Sequence, residues 1–594
     1  MLELLQMWLL VEILGIISLP LTTTVFHNLP DRGWAFSKAV GMAVLAFGVW
    51  FPLMTLRFLP FNQVFILAIL LIVIALNVFG LIRARQTLIK LVRTNIVYIA
   101  ACELIFLGMI LLLGWLRSFG PGINSYEMFM DEGFIAAIMR SPHLPPNDMW
   151  YAGYSINYYY YAHFVIAMLA KLINQAPAVA FNTGISIYFG LTGVCLFGVT
   201  TNIVGWARYR NFLKRNEENF VEPRASEVFP SLLGALPFGI LSMFMGLFMG
   251  NLASTRDWFI YHGDLATDSR WFLPSRVINK TINEFPAFSF LLSCFHAHVL
   301  ALAFTIVGIG LAFNLLLAEG RGLEAFGHGW RMVLTLFTSA LLIGGLFTMN
   351  GWDFPTYLGL ALICLALQHW VTHKTHWSWT LVVEFLVAGG SLIVLSFLLY
   401  LPFYLNFVSP SQGIGIVVPA DRSPIINEVL IYGTFVVIFV SLLTLIGKMR
   451  LNESFAFEDT AETLDERGVP EEEGKYSDLT RPRFQPWLIW LLFSLALVAV
   501  LAVLMQNGTT FLVAGLLTVL AAASVIYLMP KDRSFAYVAL LSGIAFGLVA
   551  VCEVVYLRDV FVATDPRMNT VFKFYFQSWA MLSVSSSAGV YFII

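Results

Sequence analysis

The sequence predicts an all-α fold: a polytopic transmembrane bundle of about 15 spans, with short surface helices on its outer face. Three observations carry this. Of 594 residues, 59% are hydrophobic and only 12% charged, roughly half the charged share of a soluble chain. Mean hydropathy is +0.80. Apolar runs long enough to cross a bilayer recur along the whole chain. The net charge of -2 argues against a nucleic-acid partner. The five cysteines are scattered through apolar stretches with no C-x-x-C spacing. They read as small core residues, not as a disulfide or zinc framework.

The N-terminal group, 1–117, holds four runs near residues 5–26, 38–59, 62–82 and 95–117. The first is apolar almost from Met1 and has neither a basic leader nor a small-residue cleavage site, so it is expected to be a span. Arg83, Arg85, Lys90 and Arg93 separate the third run from the fourth, as in a cytoplasmic loop. The first large outer loop, 118–177, follows. It contains a shorter apolar stretch, Tyr158–Ile173, which opens on NYYYYAHF and includes Lys171. The next basic cluster is Arg208, Arg210, Lys214 and Arg215. An odd number of crossings must therefore lie between loop and cluster. Residues 178–206 supply one, and Tyr158–Ile173 is expected to lie along the outer surface or dip in.

The central bundle, 178–450, continues with runs near 230–252, 287–317, 331–349, 354–372, 379–401 and 427–447. Residues 451–485 are acidic and without apolar period, which predicts a solvated cytoplasmic linker. The C-terminal group, 486–594, has runs near 486–506, 509–529, 535–556 and 573–594. It stops at Ile594 inside an apolar run with no polar flank, so the natural chain is expected to continue. This alternation puts Lys448, Arg450, Lys531 and Arg533 inside. The loops at 118–177, 253–286, 350–353, 402–426 and 557–572 fall outside, on the outer face of the plasma membrane.

Those outer loops hold the unusual polar sequence. Glu127, Asp131 and Glu132 stand in YEMFMDEGFIAAIMRS, whose apolar spacing suits a short helix on the membrane with its acids at the bilayer face. A carboxylate partly desolvated there can act as a base or hold a metal, and a divalent cation (Mg or Mn) stays open as cofactor. Trp150 and Tyr154, with Tyr158 and Tyr159 of the tyrosine run, offer flat faces for a sugar ring; each equally suits an interfacial anchor. Arg276, Lys280 and Glu284 precede a span that carries His296 and His298. On a continuous helix that spacing does not bring both rings to one face, so a two-histidine metal site is weak. NGWDFPTY presents Trp352 and Asp353 in a tight outer turn. The 557–572 loop holds Arg558, Asp559, Asp565, Arg567 and Asn569, with Lys573 just after it, and the two cations Arg567 and Lys573 suit a phosphate at headgroup level as well as ordinary snorkelling. No Walker loop or dinucleotide fingerprint occurs.

The stretches NYYYYAHF, NEFPAFSFLLSCFHAHVLALAF, NGWDFPTY, LPFYLNF and RMNTVFKFYFQSW resemble the YYY family of bacterial and archaeal membrane proteins, from about residue 120 onward. That family in turn resembles the GT-C membrane glycosyltransferases. The resemblance implies a polyprenyl-phosphate-linked sugar donor, a glycan, lipid or protein acceptor, and chemistry at the outer face. It implies Asp131 and Glu132 as the catalytic acidic pair, with Asp131 taking the acceptor proton. Arg276, Arg567 or Lys573 would then stabilise the leaving phosphate. One departure is Cys294, where the family pattern would place an acid ahead of His-x-His.

The expected function is an integral membrane glycosyltransferase of GT-C type. The main alternative is a transporter or flippase for a polar lipid or glycan. It predicts ionisable residues at many membrane depths, whereas the sequence concentrates them at outer boundaries apart from His296 and His298. A non-catalytic scaffold for envelope assembly is the third reading.

Overall fold

The computed structural model describes every residue except 125–126, 217–219, 294 and 467–485, and gives the backbone alone for 454–466 and 486–489. The chain is nearly all helix. Its first third comprises α1 (Leu2–Val25), α2 (Ser37–Thr55), α3 (Gln63–Ser118), α4 (Met128–Arg140), α5 (Tyr161–Leu172) and α6 (Pro177–Asn216). Then come α7 (Leu236–Leu247), α8 (Leu252–Ile260), α9 (Pro286–Leu292), α10 (Ala297–Leu316), α11 (Trp330–Met349), α12 (Asp353–Thr372) and α13 (Trp379–Leu399). The last part is α14 (Leu401–Tyr404), α15 (Ile425–Glu466), α16 (Pro486–Leu504), α17 (Thr509–Leu528), α18 (Arg533–Cys552) and α19 (Met568–Ile593).

Among the described residues, eleven helices are long and apolar enough to cross a membrane, or twelve with the bent pair around α7 and α8. Each of the fifteen expected runs is nonetheless helical, and the remaining three differ for local reasons. Two runs are joined in α3, whose 56 residues include one non-helical position, Asn95. A straight helix of that length would measure about 84 Å. Instead, Gln63 at its start donates to the Leu172 carbonyl, while Arg117 at its end donates to Asn182. Those two partners lie either side of the short α5–α6 turn, so α3 folds back on itself at Asn95. The buried Asn95 side chain holds the turn by donating to Pro230 O and accepting from Leu232 N–H. In α16 (Pro486–Leu504) the residues described in full are Trp490–Leu504, so this helix is not among those eleven. Helix α19 carries five buried serines between Ser578 and Ser587, which lower its hydropathy.

The centre of the bundle is α6 and α10, buried along their apolar length. Around them the five loops expected on one side do gather at one end. There β1 (Ile414–Ile416) pairs antiparallel with β2 (Val555–Leu557), tying the loop after α14 to the loop after α18. The basic clusters collect at the opposite end. Arg83 covers the Trp330 ring, Lys90 covers Phe229, and Arg210 joins Glu222 to Asp532.

Of the two courses expected for Tyr158–Ile173, the chain takes the second: Tyr161 to Ala170 of α5 are buried among their neighbours, a short helix dipped wholly into protein. Two other expectations are corrected. Helix α4 sends its apolar face, Met128, Phe134, Ile135 and Ile138, into the core and not into lipid. Within the expected linker 451–485 the backbone of α15 continues to Glu466, and the remainder of that stretch lies outside the described residues, as does Cys294. Finally, charge is not confined to the loop end. Glu12 of α1, Lys38 of α2 and Glu103 of α3 meet inside the bundle.

Candidate functional site

A cavity of about 630 Å³ opens at the loop end, and all five of those loops line it. The acidic loop contributes Glu127, Tyr158 and Tyr159; the loop before α9 contributes Arg276 and Glu284. The turn before α12 gives Asn350, Gly351 and Trp352, the loop after α14 gives Ser409 to Ser411, and the segment around β2 and α19 gives Arg558, Asp559, Asn569 and Lys573. His296 completes the wall.

The tyrosine run divides by position. Tyr158, Tyr159 and Tyr160 precede the helix, which starts at Tyr161. Tyr158 stacks on Phe134 of α4, centroids 4.9 Å apart, and faces the cavity. Tyr159 lies against Phe407 and over Gly351. Tyr160 and Tyr161 are buried in the core, Tyr160 accepting from Trp50 Nε1 at 3.3 Å. Two phenols therefore serve the cavity and two serve the packing.

His296 stands in extended backbone immediately before α10, because the run 287–317 breaks into α9 and α10. That break changes the expected geometry. The His296 and His298 rings lie nearly parallel with centroids 5.8 Å apart, not on opposite faces of a helix. His296 Nε2 meets Glu127 Oε2 at 2.5 Å. This hydrogen bond holds the Glu127 carboxyl below its ordinary range, while partial burial works the other way and the Lys573 charge adds to the lowering. His298 sits one layer deeper, buried, with Nδ1 2.9 Å from Lys573 Nζ. An ammonium only donates, so this Nδ1 accepts and the proton of the neutral ring is on Nε2.

The cations stand on separate walls. Arg276 packs over Phe272 and faces Glu284 at 3.8 Å. Burial pushes its guanidinium below the usual value, with Glu284 opposing. Lys573 rises from the second turn of α19. Arg558 is exposed at the rim, held by backbone bonds to Gln412 and Gly413. Asp559 is occupied, accepting from Asn569 Nδ2 at 2.7 Å.

Several expected residues lie elsewhere. Asp131 is fully buried beneath the cavity, accepting from the Phe295 N–H at 2.9 Å with His163 Nε2 3.7 Å away. Glu132 is half-buried on α4 and does not line the cavity. Trp150 and Tyr154 are 70% and 61% exposed on the loop before the tyrosines, away from the cavity wall. Lys280 is exposed outside it. Asp353 does not point outward: it is buried at the start of α12, accepting from Asn350 Nδ2 and Gln577 Nε2, each at 2.9 Å. Arg567 is buried against Glu553 and unavailable to a ligand. Ser409 to Ser411 belong to the cavity without distinctive sequence, and Asn350 was legible only as the first residue of NGWDFPTY; Arg558 and Asp559 were legible only among the charged residues of the 557–572 loop.

Among the described residues, no group of three or more His, Cys, Asp or Glu side chains is placed to hold a metal ion. What the cavity offers is a carboxylate–imidazole couple, three cations on other walls, and aromatic faces between them. No curated protein and no solved structure matches the chain. The sequence does match the family described as "Uncharacterized membrane protein (DUF2298)" over residues 44–582. That span takes in every wall of the cavity and most of the chain, and the protein belongs to this family of integral membrane proteins.

Proposed function

We propose that the protein is a membrane glycosyltransferase of GT-C type, moving a sugar from a polyprenyl-phosphate donor to an acceptor hydroxyl in the loop-end cavity. The observation that carries this reading is the pairing of Glu127 with His296 in one wall while Arg276, Arg558 and Lys573 occupy others. A base that removes the acceptor proton and cations that neutralise the departing phosphate are the two requirements of such a transfer. Tyr158, Tyr159 and Trp352 supply flat faces for the sugar. The base is assigned to Glu127, through His296, because Asp131 has no access to the cavity; Asp131 instead positions the chain at Phe295.

The test is sugar transfer in membranes supplied with radiolabelled polyprenyl-phosphate sugars. Glu127→Gln is expected to lose about 100-fold or more of the transfer, the usual range for a general base, with protein levels unchanged. Wild-type membranes that transfer nothing would overturn the reading. The transporter or flippase reading draws support from the charged group of α1, α2 and α3. It takes over if the labelled lipid changes leaflet without being consumed.

A further inference from the structure

The charged group of α1, α2 and α3 has no part in the cavity. Glu12 lies near the midpoint of α1, a helix about as long as the hydrocarbon core is thick. Lys38 Nζ donates to Glu103 Oε2 at 2.5 Å and stands 3.2 Å from Glu12 Oε2. The Lys38 side chain is 3% exposed and that of Glu12 13%. One ammonium therefore serves two carboxylates, that of Glu12 buried in the bundle and that of Glu103 34% exposed at its edge.

The neighbours do not correct the imbalance. Asp31 satisfies its own charge, accepting from Tyr98 Oη at 2.7 Å and from the N–H groups of Gly33 and Ala35. Arg32 is turned away, its guanidinium spent on the carbonyls of Leu29, Ala225 and Ser226. Tyr98 and Cys102 of α3 and Cys195 of α6 complete the titratable surroundings, all buried. Among the described residues, no further cation reaches the group. The two carboxylates also differ. Glu103 has a second donor, Trp34 Nε1 at 2.8 Å, while Glu12 has the shared ammonium and, beside it, only the Glu103 carboxyl among the described residues.

An ammonium with two ionised carboxylates leaves one negative charge uncompensated at mid-membrane, where isolated charge is strongly disfavoured. One proton removes it. The carboxylate with the fewer donors is the one that takes the proton.

We propose that Glu12 is a proton-binding site in the middle of the membrane, occupied at neutral pH, beside the contact between Lys38 and Glu103.

Dicyclohexylcarbodiimide enters membranes and reacts with protonated carboxyl groups, not with carboxylates. Wild-type protein in lipid vesicles is treated at acid, neutral and alkaline pH, and modified peptides are mapped by mass spectrometry. The proposal expects label on Glu12 at neutral pH, falling at least tenfold at alkaline pH. Lys38→Met removes the cation the two carboxylates share, so label should then appear on Glu103 as well. Label on Glu12 that needs acid pH would overturn the proposal, since the group would be ionised at neutral pH. Infrared spectra supply a measurement free of the reagent. A protonated-carboxyl band present in the wild type at neutral pH and missing from Glu12→Gln supports the site; no such band in the wild type overturns it.

Discussion

At the scale of single residues, the contact between Glu127 and His296 sets the pH behaviour of the cavity. The Glu127 carboxyl is held below its ordinary value chiefly by that hydrogen bond. A lowered carboxyl contributes stability that is present above its unfolded pKa and is lost as pH falls through its folded one. The couple should therefore survive mild acidification and break only below the ordinary glutamate range. An infrared carboxylate band absent from Glu127→Gln and followed on acid titration checks this: its midpoint is expected below that of an unperturbed glutamate. Arg567 gives a second residue-scale prediction. With side chains only 3% and 1% exposed, Arg567 and Glu553 form an ion pair inside the protein. Arg567→Ala strands a buried carboxylate, at a cost of about 3–5 kcal/mol, read as a lowered unfolding temperature in detergent. The sequence marked Arg567 and Lys573 alike as cations near a boundary. Which one faces a ligand depends on Glu553, fourteen positions before Arg567 in sequence, and spacing alone does not pair them.

At the scale of elements, the breaks in helices matter more than the helices. The turn in α3 rests on two bonds to one buried side chain, Asn95. Asn95→Ala leaves a carbonyl and an N–H unpaired, so about 1–3 kcal/mol should be lost, measurable by thermal unfolding. The break between α9 and α10 turns His296 toward Glu127 and so makes the candidate site. Nothing in the apolar run 287–317 announces it beyond Pro286 and the two histidines. The close approach of Tyr159 to the turn before α12 is a third case. A Cβ at Gly351 would lie 2.8 Å from Tyr159 ring atoms, closer than contact allows. Gly351→Ala should displace Tyr159 and reduce the proposed sugar transfer while leaving unfolding nearly unchanged.

At the scale of the whole molecule, parity of crossings was the strongest inference in the sequence. Counting spans between basic clusters put five loops on one side, and those five loops line one cavity. Single cysteines test the sidedness itself. With a membrane-impermeant thiol reagent on intact cells, Ser411→Cys is expected to react from outside. Arg208→Cys is expected to react only after the membrane is opened, because Lys and Arg of short loops stay cytoplasmic.

The sequence by itself determined the class, the run of helices and the end at which the polar loops meet. Each of these follows from hydropathy and charge summed over many residues, and such sums tolerate local error. Only the tertiary structure decided which side chains face the cavity. It put Asp131 beneath the floor, Glu127 in the wall, α5 inside the bundle and Glu12 beside Lys38. Those outcomes depend on where a helix stops and on partners far away in sequence. A single turn of backbone moves a side chain from cavity to core, and composition does not register that difference.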